Sequence, residues 1–156
     1  MKKNIFDIII VDTQKIYNES KYRFLKNKNI LITGSTGLLG NYMIGFFLNS
    51  LQSNFKPKKI TITFKNKLPT YLNFLKSNKS FKLIKKDLSK IKKINVINQD
   101  YIIHLAGYGQ PMKFMEDPIK TFELNTGVLN MLLKKIDKKG SFLYLSSSEI
   151  YSGLNG

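Results

Sequence analysis

Cysteine is absent from the 156-residue sequence, and arginine occurs only once, at Arg23. Without cysteine the chain can form neither disulfides nor thiolate metal sites, and we expect no bound metal. Long apolar runs are also missing: residues 8–11 and 42–48 fall far short of the roughly 20 that a membrane-spanning helix needs. At the N-terminus, Asp7 and Asp12 interrupt a stretch that otherwise begins like a signal peptide. We therefore expect a cytoplasmic protein with no membrane partner.

Acidic residues are scarce, and the formal net charge is +16 at pH 7. Such a charge is compatible with a nucleic-acid partner, but base-edge and bidentate phosphate contacts depend heavily on arginine. Here the basic residues are almost all lysine, and the excess of asparagine and isoleucine is typical of drift towards AT-rich codons. We therefore predict no specific nucleic-acid partner. Only the lysine-rich segment 56–93, whose single acid is Asp87, is suited to attract polyanions non-specifically.

Apolar runs alternate with amphipathic segments along the chain. The spacing predicts helices over 13–27, 38–51, 68–76 and 118–135, and strands over 29–33, 59–64, 80–85, 100–105 and 141–145. Strands alternating with helices at this spacing predict an α/β fold, in which right-handed crossovers build a parallel sheet with helices on both faces. The core stripe predicted for the longest helix consists of Ile119, Phe122, Val128, Leu129 and Leu132.

Three glycines, Gly34, Gly37 and Gly40, stand between the first strand and the second helix. In this context the first glycine permits a tight turn, the second lets backbone approach a pyrophosphate, and the third lets the helix pack closely on the strand. The N–H groups at the start of the helix can then hold the diphosphate. An ordinary strand-to-helix turn is the alternative interpretation. The context favours a dinucleotide site.

The loop TGSTGLLG, residues 33–40, resembles the TGxxGxxG loop of the extended short-chain dehydrogenase/reductase family, the NAD-dependent epimerases, dehydratases and decarboxylases of nucleotide sugars. Three further motifs follow in the family's order: Asp87-Leu-Ser, His104-Leu-Ala-Gly107, and Asn125 of the stretch Leu124-Asn-Thr-Gly-Val-Leu-Asn130, which resembles the family's N-x-x-G-x-x-N. The resemblance implies a doubly wound Rossmann-type sheet of about five strands. It also implies a cofactor site formed by Gly34, Thr36, Gly37, Leu38, Leu39, Gly40, Lys65, Asp87, Leu88, Leu105, Ala106, Gly107 and Asn125.

The end of the predicted fifth strand carries the catalytic candidates Ser147, Ser148 and Glu149. In the family, a hydroxyl at the position of Ser147 hydrogen-bonds the sugar O4, and the stretch SSEIY resembles the TSEVY of UDP-glucuronate decarboxylases. A hydrogen-bonded serine turn is the alternative. Residues 104–111 and 117–121 are similar to that branch too, but its usual P-A-S-P reads Tyr108-Gly-Gln-Pro111 here, which leaves the sugar acid open.

Two departures from the family pattern stand out. The end of the second strand offers Lys65-Asn66-Lys67 where NAD-preferring members place an aspartate; we expect NAD from the resemblance, with NADP left open. The catalytic Tyr-x-x-x-Lys, expected after the fifth strand, is not found there. Its two matches elsewhere, Tyr17 with Lys21 and Tyr22 with Lys26, precede the first strand and are interpreted as chance.

The resemblance thus predicts the cofactor-binding half of an enzyme that oxidises C4 of a UDP-sugar by hydride transfer to NAD. We expect a helical extension over 1–28 and an incomplete Rossmann domain over 29–156, truncated before the Tyr-Lys helix, with the substrate domain absent. A nucleotide-sugar would bind only if further chain completes the site, and the full-length form is expected to be a homo-oligomer. The isolated chain is expected to expose apolar sheet surface and to associate. A noncatalytic dinucleotide-binding module or remnant is the alternative.

Overall fold

The computed structural model describes residues 5–17, 19–107 and 115–146. Five strands form one parallel sheet in the order β3-β2-β1-β4-β5. Their bounds are Asn29–Thr33 (β1), Lys59–Phe64 (β2), Phe81–Lys85 (β3), Gln99–His104 (β4) and Ile136–Tyr144 (β5). The predicted parallel Rossmann-type sheet is confirmed. Strands β2 and β3 lie on one side of β1, and β4 and β5 lie on the other. Because the strand order reverses at this point, a crevice opens between the carboxyl ends of β1 and β4.

Helical segments cover both faces of the sheet, as predicted. They are α1 (Ile5–Ile16), α2 (Leu38–Ser50), α3 (Pro118–Phe122) and α4 (Val128–Leu133), with short 3₁₀ segments at Glu19–Leu25, Thr70–Lys76 and Leu88–Lys90. Alternation along β1 divides the core, since successive strand residues point to opposite faces. Ile30 and Ile32 join the cluster that contains residues of α1 and α2, whereas Leu31 joins the cluster with Leu132 of α4.

The single helix predicted over 13–27 is wrong. Helix α1 ends at Ile16, and the chain then turns, with Tyr22 at the non-helical angles φ −109° and ψ 22°. Aromatic packing explains the break: the rings of Tyr17 and Tyr22 lie 5.4 and 4.8 Å from the Phe46 ring of α2. Meanwhile α1 buries Phe6 and Ile9 in the core cluster on its side of the sheet.

The core stripe predicted for 118–135 is wrong at its N-terminal end. Ile119 and Phe122 are 75% and 68% exposed, whereas Val128 and Leu132 are buried and Leu129 is half-buried. Between α3 and α4 the segment Glu123–Gly127 forms a π-helical turn. A π turn inserts an extra residue per turn, so one apolar stripe at the ordinary helical spacing cannot continue through it.

The start predicted for the fifth strand is also wrong, because β5 begins at Ile136 instead of residue 141. Gln99 pairs with Ile136 and Tyr101 pairs with Ser141, so residues 137–140 bulge out opposite a single residue of β4. Such a bulge is invisible to a pattern of alternation. In the part of the chain that the structure describes, β5 is an edge strand; Leu143 within it and Leu145 just after it are 57% and 49% exposed. No described helix is long and apolar enough to cross a membrane.

The corrected burial pattern of the helix can be tested by substitution. Ile119→Ser should change the free energy of unfolding by less than about 0.5 kcal/mol, because exposed positions tolerate polar side chains. Val128→Ala, which removes buried methyl groups, should lower it by roughly 1–2 kcal/mol. Urea denaturation of the two variants measures both values. Equal losses would contradict the exposure of Ile119.

Candidate functional site

A cleft of about 240 Å³ opens at the carboxyl edge of the sheet, over β1, β2, β3 and β4. It brings together nine of the predicted cofactor residues: Gly34, Thr36, Gly37, Lys65, Asp87, Leu88, Leu105, Ala106 and Gly107. The other four lie outside its lining. Leu38 and Leu39 are exposed on the first turn of α2, Gly40 lies beneath the loop, and Asn125 is in the π turn.

The glycine loop has two positions where only glycine fits. Gly34 has φ +67°, and a Cβ there would stand 2.7 Å from the Leu105 oxygen and the Ala106 nitrogen. A Cβ at Gly40 would stand 2.4 Å from the Gly34 oxygen. These glycines let the loop pack between the end of β4 and the start of α2.

Gly37 differs from the other two glycines of the loop. It is the N-cap of α2, and a Cβ there would meet only the Gly34 oxygen, at an ordinary 3.4 Å. No side chain caps this helix end, so the first-turn N–H groups retain donor capacity for an anion at the cleft. The packing of the loop does not require glycine at 37, whereas close approach of a ligand to the backbone does. This combination fits a diphosphate group.

A hydrogen-bonded pair joins the ends of β1 and β4. Thr33 Oγ1 lies 2.6 Å from His104 Nδ1 and also accepts the Ala106 N–H at 3.2 Å. The Thr33 hydroxyl has one donor and two acceptor sites, so it can accept from Ala106 and still hydrogen-bond His104 Nδ1 in either tautomer of the ring. Burial lowers the pKa of His104 to about 4, partly opposed by the Leu124 backbone. The ring is therefore neutral at pH 7, and Thr33, which contacts it, binds the Ala106 N–H beside the cleft.

An ion pair joins the ends of β2 and β3. Lys65 Nζ lies 3.0 Å from Asp87 Oδ2, while Asp87 Oδ1 accepts hydrogen bonds from the Ser89 N–H and hydroxyl at 3.2 and 2.7 Å. Partial burial raises the pKa of Asp87, but the hydrogen bonds from Ser89 and Lys65 outweigh it, so that the pKa is lowered overall. Asp87 is thus a carboxylate at neutral pH, held at the mouth of the cleft.

Asn125 is placed by a contact with the fifth strand. Its Oδ1 accepts a hydrogen bond from the Tyr144 hydroxyl at 3.2 Å, and the Tyr144 ring lies 5.6 Å from the His104 ring. The π turn is therefore connected through β5 to the Thr33–His104 pair. The catalytic candidates Ser147, Ser148 and Glu149 lie outside the described residues.

Sequence reasoning missed the Thr33–His104 pair and the Tyr144–Asn125 contact. The partners of the first are 71 residues apart, and no local pattern connects them. A partial signal existed for the first pair, since both residues are polar and directly follow the apolar runs of predicted strands, but only the structure shows that these strands are neighbours. The second contact depends on the π turn, which the sequence does not reveal.

Together, the strand order, the glycine loop and the crevice beside it define a Rossmann-type α/β fold, with a cleft at the carboxyl edge of the sheet, the place where such folds bind dinucleotides. Residues 30–156 match the model of the NAD dependent epimerase/dehydratase family. The chain belongs to that family.

Individual relatives agree with this assignment. UDP-glucuronic acid decarboxylase 6 of Arabidopsis thaliana is 30% identical over 138 residues, which are 82% of this chain and 36% of the relative. Bifunctional polymyxin resistance protein ArnA of Wigglesworthia glossinidia brevipalpis is 28% identical over 158 residues, covering 96% of this chain and 22% of the relative. The structure of MoeE5 in complex with UDP-glucose and NAD superposes with a TM-score of 0.61 at 21% identity, over 82% of this chain and 39% of that one. The chain therefore spans less than two fifths of each of these proteins.

Proposed function

We propose that this chain forms the cofactor-binding portion of an enzyme that oxidises C4 of a UDP-sugar, in the manner of a UDP-glucuronate decarboxylase. The observation that carries the proposal is the cleft itself, where the uncapped glycine loop, the Lys65–Asp87 pair and the Ala106–Gly107 backbone meet. The 30% identity to a UDP-glucuronic acid decarboxylase supports the choice of branch. The bound nicotinamide dinucleotide would supply the hydride acceptor.

Different residues of this chain are proposed to bind different parts of the dinucleotide. The N–H groups at the start of α2 bind the diphosphate, since they are donors without a side-chain cap. Asp87, held ionised by Ser89 and Lys65, accepts from the adenine amino group. Thr33 and His104 keep the Ala106 backbone in position to line the nicotinamide end.

Sugar chemistry is assigned to the end of β5. Ser147 hydrogen-bonds the sugar O4, and Ser148 and Glu149 contact the same substrate. A general base that takes the O4 proton is required as well. In the family resembled, a Tyr-Lys pair supplies this base, and residues 145–156 contain no Tyr-x-x-x-Lys.

Fluorescence titration with NADH and NADPH tests the first half of the proposal. Saturable one-to-one binding of at least one of them, competed by ADP, is expected. The second half is tested by incubating the product of the full reading frame with UDP-glucuronate and measuring carbon dioxide release. Failure to bind either dinucleotide would reject the proposal, and binding without turnover would instead identify a noncatalytic dinucleotide-binding module.

A further inference from the structure

A second groove, which we call the lysine groove, lies between residues 88–94 and the helical stretch from Glu123 to Lys135. Its volume is about 650 Å³, and it shares only Leu88 and Ser89 with the lining of the cleft described above. The function proposed for the cleft makes no use of it. We propose that the lysine groove binds an acidic amphipathic helix of a partner protein.

The first argument concerns the shape of the groove. Parallel strands are usually joined by a crossover helix. The connection from β3 to β4, residues 86–98, instead contains one 3₁₀ turn, Leu88–Lys90, and otherwise irregular backbone. Space that a crossover helix would fill beside α4 is therefore open. An open groove along a helix is the kind of surface on which a helix from another chain docks.

The second argument concerns charge. Five lysines line the lysine groove, and the acid among the described lining residues is Glu123. The lysines are Lys90, Lys92, Lys93, Lys134 and Lys135. They account for five of the 14 lining residues, whereas basic residues account for 26 of the 156 in the chain, so the enrichment exceeds what composition explains. Within the described part of the chain, none of the five forms an ion pair. Carboxylates of a partner would balance this charge.

The third argument concerns the floor of the groove and decides which polyanion fits. Between the lysines the floor is aliphatic, formed by Leu88, Ile94, Val128 and Met131. No described lining residue is aromatic, so the bases of a single-stranded nucleic acid find no ring on which to stack. An amphipathic helix can place apolar side chains on such a floor while its carboxylates reach the ammonium groups. A second copy of this chain is a poor partner, since each copy has a formal net charge of +16.

The test uses a fluorescein-labelled peptide of about 15 residues, long enough to form a helix, with leucines on one face and glutamates on the other. Fluorescence anisotropy measures its binding to the protein. We expect saturable one-to-one binding that weakens as salt rises. A second peptide, with serine in place of leucine, should bind more weakly by on the order of tenfold, because the apolar contact is lost. Equal affinity of the two peptides would show attraction by charge alone and would overturn the proposal.

Variants of the protein locate the binding surface. The double variant Lys92→Gln, Lys134→Gln removes one charge from each side of the lysine groove and should weaken peptide binding by on the order of tenfold, the effect of two exposed ion pairs. The matched control, Lys58→Gln with Lys76→Gln, removes two exposed charges outside the groove. It should change the affinity by less than about twofold at physiological salt, where charges are screened over about 8 Å.

Urea denaturation of both double variants verifies that each retains the fold, as expected for substitutions at exposed positions. Equal losses of affinity in the two double variants would overturn the proposal. Absence of saturable peptide binding, or binding of a thymidine oligonucleotide of the same charge as tightly as the peptide, would overturn it too. Since the peptide assay requires no dinucleotide, each of these results leaves the function proposed for the cleft to its own test.

Discussion

Replacing Gly37 with valine should weaken binding of the dinucleotide, NADH or NADPH, by on the order of 100-fold, the equivalent of one or two charge-assisted hydrogen bonds. The reason is geometric. A side chain at the N-cap of α2 keeps the diphosphate away from the first-turn N–H groups, which then lose their charged acceptor. The fold should survive, because the Cβ itself meets only one atom, at 3.4 Å. Fluorescence titration gives the affinity, and urea denaturation gives the stability.

Gly40→Ala is the matched control for this prediction, since it changes the same loop at a packing position. Its Cβ would lie 2.4 Å from the Gly34 oxygen, and overpacking of this kind costs roughly 1–3 kcal/mol of stability. Gly37→Val should therefore lose affinity for the dinucleotide, whereas Gly40→Ala should lose stability. If Gly37→Val bound the dinucleotide as tightly as the parent protein, the glycine loop would not be the diphosphate site.

Lowering the pH from 7 to 4.5 should reduce the free energy of unfolding by about 2–3 kcal/mol, because His104 is buried in its neutral form. Burial lowers the pKa of His104 to about 4 in the folded protein, whereas an unfolded histidine titrates near pH 6.5. The unfolded chain binds the proton first, so the contribution is complete above pH 6.5 and is lost as the pH falls towards 4. His104 is the single histidine in the sequence, so no other imidazole contributes to this window. Urea denaturation at several pH values measures the slope.

The His104→Gln variant is the control for the pH prediction. It should be less stable than the parent at pH 7, because the hydrogen bond to Thr33 is disturbed, but its stability should hardly change between pH 6.5 and 4.5. The carboxylates of Asp87 and Asp100, whose pKa values are lowered, lose their stabilising contribution only at more acidic pH. A parent protein with the same stability at pH 7 and pH 4.5 would contradict the buried neutral state of His104.

Local features of the sequence were sufficient to locate β1 and β2. The apolar runs of β1 and β2 matched the observed strands, because a fully buried parallel strand reads as a continuous apolar segment. Helix α2 was predicted to within one residue for a similar reason, since glycines mark its start and apolar residues surround it. Prediction failed where tertiary contacts compete with local preference: at Tyr22, which packs on Phe46, and at the bulge in β5.

The candidate site also contains features that local sequence predicts and features that depend on tertiary contacts. The sequence by itself determined the glycine loop and the strand-to-helix turn around Gly34, Gly37 and Gly40, because these depend on the conformation of neighbouring residues. Only the tertiary structure decided that Lys65 pairs with Asp87 and that Thr33 holds His104. Those contacts depend on which strands lie side by side and in which register. Strand order is set by burial of the whole sheet between two helical layers, and no single segment encodes it.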